Sequence, residues 1–350
     1  MAILPRLPQV LALCAFLLFI TGSSWALQTL PLPGQWTDAL TMATLPDGSL
    51  LVAQRSGLID RLVPDGLGYR PPTIWADLGD NGKDELLGLA VDPDFLSSGY
   101  LFAALKTVGE DKPAVRLTRW RDSGDLVVLN RVLVDNLPAG YERTGGVLKF
   151  SPDGHLWLGL GDGGALPSDV VPAKLRGVLL RYNEDGTIPA DNPDPTTAVW
   201  AWGLRDPSGL AWQPGTERLY SLDRGPVIPK GTMDRLDLIE KGTNYGWPKY
   251  VGRDYAPGVA RPVIYCSSGH SWVPGGAVFA TSGDWKGSLL FAGAGQGNLY
   301  RLSLDTKAPT KILFYEELIG GDLGPLVDVA LGPGDQPYLL SREKLYKLIP

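Results

Sequence analysis

The sequence holds two histidines, His155 and His270, so imidazole-based proton transfer has two candidates. His155 follows Ser151-Pro152-Asp153-Gly154 and opens an apolar run, which gives it a surface or structural role at a strand start. His270 lies in Cys266-Ser267-Ser268-Gly269-His270-Ser271-Trp272, a loop able to approach a binding channel, and is the candidate base of its type. That loop is not a nucleophile elbow, because no glycine follows at the needed place. Gly161-Asp162-Gly163-Gly164 has the composition to offer backbone N–H groups to a ligand. The same composition serves a plain tight turn. Asp77, Asp80, Asp84 and Glu85 form an acidic loop without the spacing of a calcium loop, and no complete metal site is visible in the chain. Trp200 and Trp202 either stack on a flat ligand or, as alternating strand residues usually do, fill a core.

These groups need a frame, and composition limits which one. A single charge, Arg6, precedes the apolar run Val10 to Ile20, and Ser24-Trp25-Ala26 follows as a small-x-small site. This pattern predicts an export signal over residues 1–26 and a mature protein in the periplasm or outside the cell, with no membrane attachment after cleavage. Beyond it the one cysteine is Cys266, which excludes an internal disulfide and cysteine-based zinc sites and fits a packed small hydrophobe. The formal charge is −6 with no basic block, so nucleic acid is not an expected partner. With 44 glycines, 30 prolines and 11 tryptophans, the chain is punctuated by turns and suited to strands rather than helices.

A phrase recurs six times: a Pro- or Gly-containing turn followed by alternating apolar residues. Leu45-Pro46-Asp47-Gly48-Ser49-Leu50 and Ser151-Pro152-Asp153-Gly154-His155-Leu156 are the clearest copies. With Pro46, Pro93, Pro152, Pro214, Gly283 and Pro333 as markers, the spacings are 47, 59, 62, 69 and 50 residues. Periods near this length, with several strands each, are those of propeller blades. The sequence therefore predicts an all-β, six-bladed β-propeller over residues 27–350, with its binding surface where loops gather at one end of a central channel.

Several ordered segments carry a resemblance to the soluble glucose/sorbosone (aldose sugar) dehydrogenases that use pyrroloquinoline quinone (PQQ). They include Gly145-Gly146-Val147-Leu148-Lys149-Phe150, Gly161-Asp162-Gly163-Gly164 and Leu180-Arg181-Tyr182-Asn183-Glu184-Asp185-Gly186. Trp200-Ala201-Trp202-Gly203-Leu204-Arg205-Asp206-Pro207 and Asn244-Tyr245-Gly246-Trp247-Pro248 follow in the same order. The resemblance implies a six-bladed propeller, PQQ over the channel mouth beside a calcium ion, and a histidine that takes a sugar hydroxyl proton as hydride passes to the quinone.

Against that pattern the chain departs at chemically decisive places. The family's His-x-Gly-Gly reads Arg143-Thr144-Gly145-Gly146 here, and a guanidinium cannot act as a base at neutral pH. Gly225-Pro226 is retained, with carbonyls that could face a cation. Arg235 in Met233-Asp234-Arg235-Leu236-Asp237, however, replaces an expected carboxylate ligand, while Tyr245 still fits its pattern. Two arginines expected late in the chain are Pro325 and Val327, and Lys83 replaces an upstream Gln or Glu. Arg205 is retained as a candidate site group. Lys83, Arg143, Arg205 and Arg235 would together make a positive funnel for an anionic ligand, or would be a disused site filled by locally paired cations. Two readings stand: a quinoprotein that oxidises a sugar or related alcohol at an altered site, and a non-catalytic propeller that binds an anionic small molecule or a sugar. A metal-dependent hydrolase ranks below both, because it needs a carboxylate cluster at the mouth.

Overall fold

The computed structural model describes residues 27–80, 82–108, 113–252, 254–266 and 269–349. The expected export signal lies outside them. Each recurring turn sits where the repeat reading requires, between the first and second strands of a four-stranded antiparallel sheet. There are six such sheets. Blade 1 comprises Ala39–Thr44, Leu50–Gln54, Leu58–Leu62 and Thr73–Asp77, and blade 2 Asp84–Val91, Tyr100–Val108, Pro113–Asp122 and Val127–Pro138. Blade 3 comprises Gly145–Phe150, Leu156–Leu160, Val178–Tyr182 and Val199–Trp202, and blade 4 Pro207–Trp212, Leu219–Asp223, Arg235–Ile239 and Ile264–Tyr265. Blade 5 holds Pro274–Phe279, Leu289–Gly293, Asn298–Leu304 and Ile312–Ile319. Blade 6 holds Leu326–Leu331, Pro337–Ser341 and Leu345–Ile349, and borrows its outer strand, Gln28–Pro31, from the start of the chain. That strand runs antiparallel to the last one, Gln28 opposite Ile349 and Pro31 opposite Tyr346.

The first strand of every blade touches the first strand of the blade before and after it, and the last closes on the first. The result is the predicted six-bladed ring around a channel. Six buried clusters among the described residues fill the six junctions between blades. The strand alternation explains this: one face of each sheet packs on the next blade and the other on the previous one. Near the axis the backbones crowd. A Cβ on Gly275 would lie 2.0 Å from the Val327 carbonyl oxygen, so glycine is what lets blades 5 and 6 meet there.

All six inner strands also break register against their second strand near their beginnings, at Ala39/Thr41, Leu86/Gly88, Gly145/Leu148, Pro207/Gly209, Pro274/Ala277 and Leu326/Asp328. Such bulges re-aim side chains at the rim of a closed sheet. Here they surround one end of the channel, which identifies that end as the mouth.

Candidate functional site

The mouth chamber is lined by bulge residues, including Leu40, Leu87, Val147, Ser208 and Val327, and by the charged side chains Arg55, Asp206, Arg224, Lys149 and Asp328. Arg55 lies in the loop after the second strand of blade 1 and Arg224 in the corresponding loop of blade 4, the blade across the ring. Both side chains are about two-fifths exposed. Arg55 bonds Asp38 (3.1 Å) and Glu85 (2.7 Å). Arg224 donates from Nε to the Pro274 carbonyl (2.8 Å) and stands 3.6 Å from Asp206. The Ser208 hydroxyl is buried on this wall without a protein partner.

Lys149 forms the channel's waist, lining both the mouth chamber and the space toward the opposite face. The residue as a whole is half-buried. It donates to the Ala277 carbonyl at 2.7 Å. Loss of water around it pulls its pKa down, opposed by Asp328. Asp328 in turn accepts from Thr41 Oγ1 (2.7 Å) and the Met42 N–H (3.0 Å), and burial pushes its carboxyl up.

Beside this chamber the segments singled out in the sequence form a tightly paired wall on blades 3 and 4. Arg143 occupies the left-handed backbone region, φ 51°, which non-glycine residues rarely adopt. Its Nε donates to the buried Asp162 at 3.0 Å and its Nη1 to Glu142. Burial works against the Arg143 charge, but these two carboxylates raise its pKa further, so it holds its proton firmly. Asp162 also accepts from the Gly164 N–H (2.8 Å) and from Trp247 Nε1 (3.1 Å). The Gly163 N–H goes to the Arg143 carbonyl and the Gly164 N–H to Asp162, so both are engaged by protein acceptors.

Arg205 is joined to that wall, since its carbonyl accepts from the Asp162 N–H at 2.8 Å. Its guanidinium donates to the carbonyls of Arg224 (3.2 Å) and Gly225 (2.8 Å) and lies 5.4 Å from the Trp247 ring centroid. Arg205 Nε is buried without a protein acceptor. Arg235 is 4% exposed, and each of its guanidinium nitrogens is engaged. Nε and Nη2 fork onto Asp237 (2.7–3.1 Å) and Nη1 donates to the Tyr245 carbonyl (2.8 Å). Tyr245 is fully buried and its hydroxyl donates to the Leu238 carbonyl at 2.7 Å. Pro226 accepts the Met233 N–H, and Asp234 takes the N–H groups of Gly225, Trp272 and Val273. Burial pushes Asp223 up to about 7, against the pull of Arg235 and the N–H groups of Arg205 and Asp206.

The four expected funnel cations therefore do not share one free rim. Arg143 and Arg205 meet through Asp162, Arg235 is buried against Asp237, and Lys83 is an exposed side chain bonded to Asp80 at 2.9 Å. His270 is exposed; its carbonyl accepts from Thr232, and its imidazole is not among the chamber's lining groups. His155 is at the other end of blade 3, against Asp153 and Arg181. The sequence reading missed Arg55, Arg224, Ser208 and Lys149, because nothing in their local spacing marks them; Arg55 and Arg224 come from loops, Ser208 from a bulge and Lys149 from an inner strand, and ring closure brings them together. Asp206 sits inside a quoted segment, and its neighbour Arg205 drew the attention instead.

The oxygens that resemblance offers to a calcium ion meet protein donors. The Gly225 carbonyl accepts a guanidinium N–H, and position 235 holds a cation where a carboxylate would be required. This donor set does not fit a hard divalent ion. Among the described residues no cluster of three or more His, Cys, Asp or Glu could hold a metal, and no helix is long and apolar enough to cross a membrane.

Comparison with known proteins gives the same fold. The family model "Glucose / Sorbosone dehydrogenase" matches residues 36–349. The chain is 28% identical over 341 residues to aldose sugar dehydrogenase YliI of Escherichia coli strain K12, covering 88% of each chain. It is 29% identical over 353 residues to protein slr1608 of Synechocystis, covering 88% of this chain and 82% of that one. The PQQ-bound structure of aldose sugar dehydrogenase from Streptomyces coelicolor superposes with a TM-score of 0.77 at 27% identity, covering 92% of this chain and 97% of that one.

Proposed function

This chain belongs to the Glucose / Sorbosone dehydrogenase family, and on that premise we propose that it is an exported propeller whose mouth chamber binds a small anionic sugar derivative, such as a sugar acid, without oxidising it. One observation carries the reading: Arg55 and Arg224 stand on opposite sides of the chamber, with the Ser208 hydroxyl unpartnered between the strands and Lys149 at the floor. A carboxylate gains most from a guanidinium's paired donors, and a polyhydroxy chain supplies the acceptor that Ser208 lacks. The relatives' names supply the substrate class. Loss of the reaction is argued from position 143, where a guanidinium held by two carboxylates cannot collect a hydroxyl proton.

The rival reading, sugar oxidation with PQQ, is tested in the same assay. Apo-protein is titrated with D-gluconate by calorimetry, and separately with PQQ and calcium while quinone absorbance and dye reduction with aldoses are followed. Saturable gluconate binding that Arg224→Ala weakens about tenfold or more supports the proposal. Aldose-dependent dye reduction overturns it in favour of a working quinoprotein. Export is checked by sequencing the N-terminus of the protein recovered outside the cytoplasm, expected to begin at Leu27.

A further inference from the structure

At the end of blades 3 and 4 opposite the mouth lies a second cleft, walled by Trp157, Trp200 and Trp212 and edged by Asp153, Arg181 and Glu217. We propose that it is an accessory binding site for a neutral saccharide, separate from the channel. The argument begins with Trp157. It is 5% exposed, its ring forms part of the cleft wall, and its Nε1–H is buried with no acceptor in the protein. Other tryptophans show what a purely structural indole does here. Trp36 donates to Asp60 (2.8 Å), Trp120 to Thr118 (2.9 Å) and Trp247 to Asp162 (3.1 Å). That N–H is shielded as well as unpartnered, so a ligand in the cleft meets it only with a small shift of the ring.

The surroundings select the chemistry of that acceptor. Trp157 meets Trp200 and Trp212 edge to face, with centroids 5.1 and 5.8 Å apart, so the three rings fix one another. Arg181, 3% exposed, braces the site. Its Nη1 donates to Asp191 (2.8 Å) and its Nη2 lies within 3.0 Å of His155 Nδ1, while its guanidinium covers Trp200 at 4.9 Å. Asp153 and Asp191 keep 60% and 68% of their side chains exposed at the rim. The Trp212 indole matches the apolar face of a pyranose ring, rim carboxylates accept hydrogen bonds from its hydroxyls, and a ring or hydroxyl oxygen accepts one from the Trp157 N–H. A cationic ligand is disfavoured, since Trp200 already faces Arg181 and Lys241.

The test uses the mature protein with maltotetraose, cellotetraose and chitotetraose, read by tryptophan fluorescence, and with tetramethylammonium as the cationic arm. At least one tetrasaccharide is expected to bind saturably with a Kd of roughly millimolar order. Trp212→Ala should weaken it about tenfold or more, and Trp157→Phe, which keeps a ring and removes the N–H, about fivefold. Circular dichroism checks that each variant folds. Arg224→Ala should leave cleft binding as in the parent protein, which separates this site from the mouth. The proposal is overturned if none of the sugars binds, if binding survives in folded Trp212→Ala and Trp157→Phe proteins alike, or if tetramethylammonium binds instead.

Discussion

Blades 3 and 4 are finished in opposite ways at their two ends. At the mouth, Asp162, Asp223, Asp234 and Asp237 are buried and each accepts two or more protein donors. At the far end, three indoles and a braced arginine line an open cleft in which one buried donor has no partner. Residue type alone would rank the charged end as the active one. Counting partners sorts the groups at both ends: charges that satisfy one another are scaffold, whereas an unmet donor, Ser208 or Arg205 Nε at the mouth and Trp157 Nε1 at the far end, is a position left for something else. Within the mouth the same rule moves attention from Arg235 to Ser208.

The sharpest way to break this contrast is to cut the charged wall. Arg235→Ala leaves Asp237 buried and unpaired, and should cost about 3–5 kcal/mol in urea denaturation. Replacing both partners, Arg235→Met with Asp237→Leu, should recover most of that loss if the pair is scaffold. Next come two matched indole changes. Trp36→Phe strips a donor from Asp60 and should cost about 1–3 kcal/mol, whereas Trp157→Phe, which removes a donor with no partner, should cost less than that.

A smaller effect lies in the pH profile. Asp223, raised to about 7 by burial, keeps its proton in the folded protein at pH values where the unfolded chain has lost it. The folded state then holds more protons, so stability falls as pH rises from the ordinary carboxylate range toward 7. Burial also raises Asp206 and Asp237, with the same sign. A Tm that declines between pH 5 and about 7.5, and a shallower decline in Asp223→Asn, is the expected result. The smallest change is Arg143→Gly. It relieves the left-handed backbone at φ 51° while removing a quarter-exposed ion pair, and should leave stability within about 1 kcal/mol of the parent by the same denaturation assay.

The ring itself was legible because each blade repeats one local event, a tight turn between the first two strands, and Pro46, Pro152 and Pro333 announce it without reference to distant residues. Gly57 to Leu62 and Gly297 to Leu302 share the pattern Gly-x-Leu/Ile-x-Arg-Leu, and they are third strands or their approaches. The borrowed strand Gln28–Pro31 was not legible, since its partner lies at the other end of the chain. Arg205 and the Gly225-Pro226 turn were each visible as motifs, but the hydrogen bond that joins them spans 20 residues and no local spacing shows it. Arg143 could be read as an unusual cation, but its tie to Asp162 depends on two loops meeting. The pairing of Trp157 with Trp212 joins different blades, and neither residue carries a signal on its own.

The hydrogen bonds between Gln28–Pro31 and Leu345–Ile349 also set an order of events. The earlier strand has to wait for the later one, so a partly synthesised chain presents five complete sheets and a gap. A clasp of this kind keeps the circle open until Leu345–Ile349 is in place, and it makes the pairing of these two strands the place where a substitution would unfasten the whole circle rather than loosen a single blade.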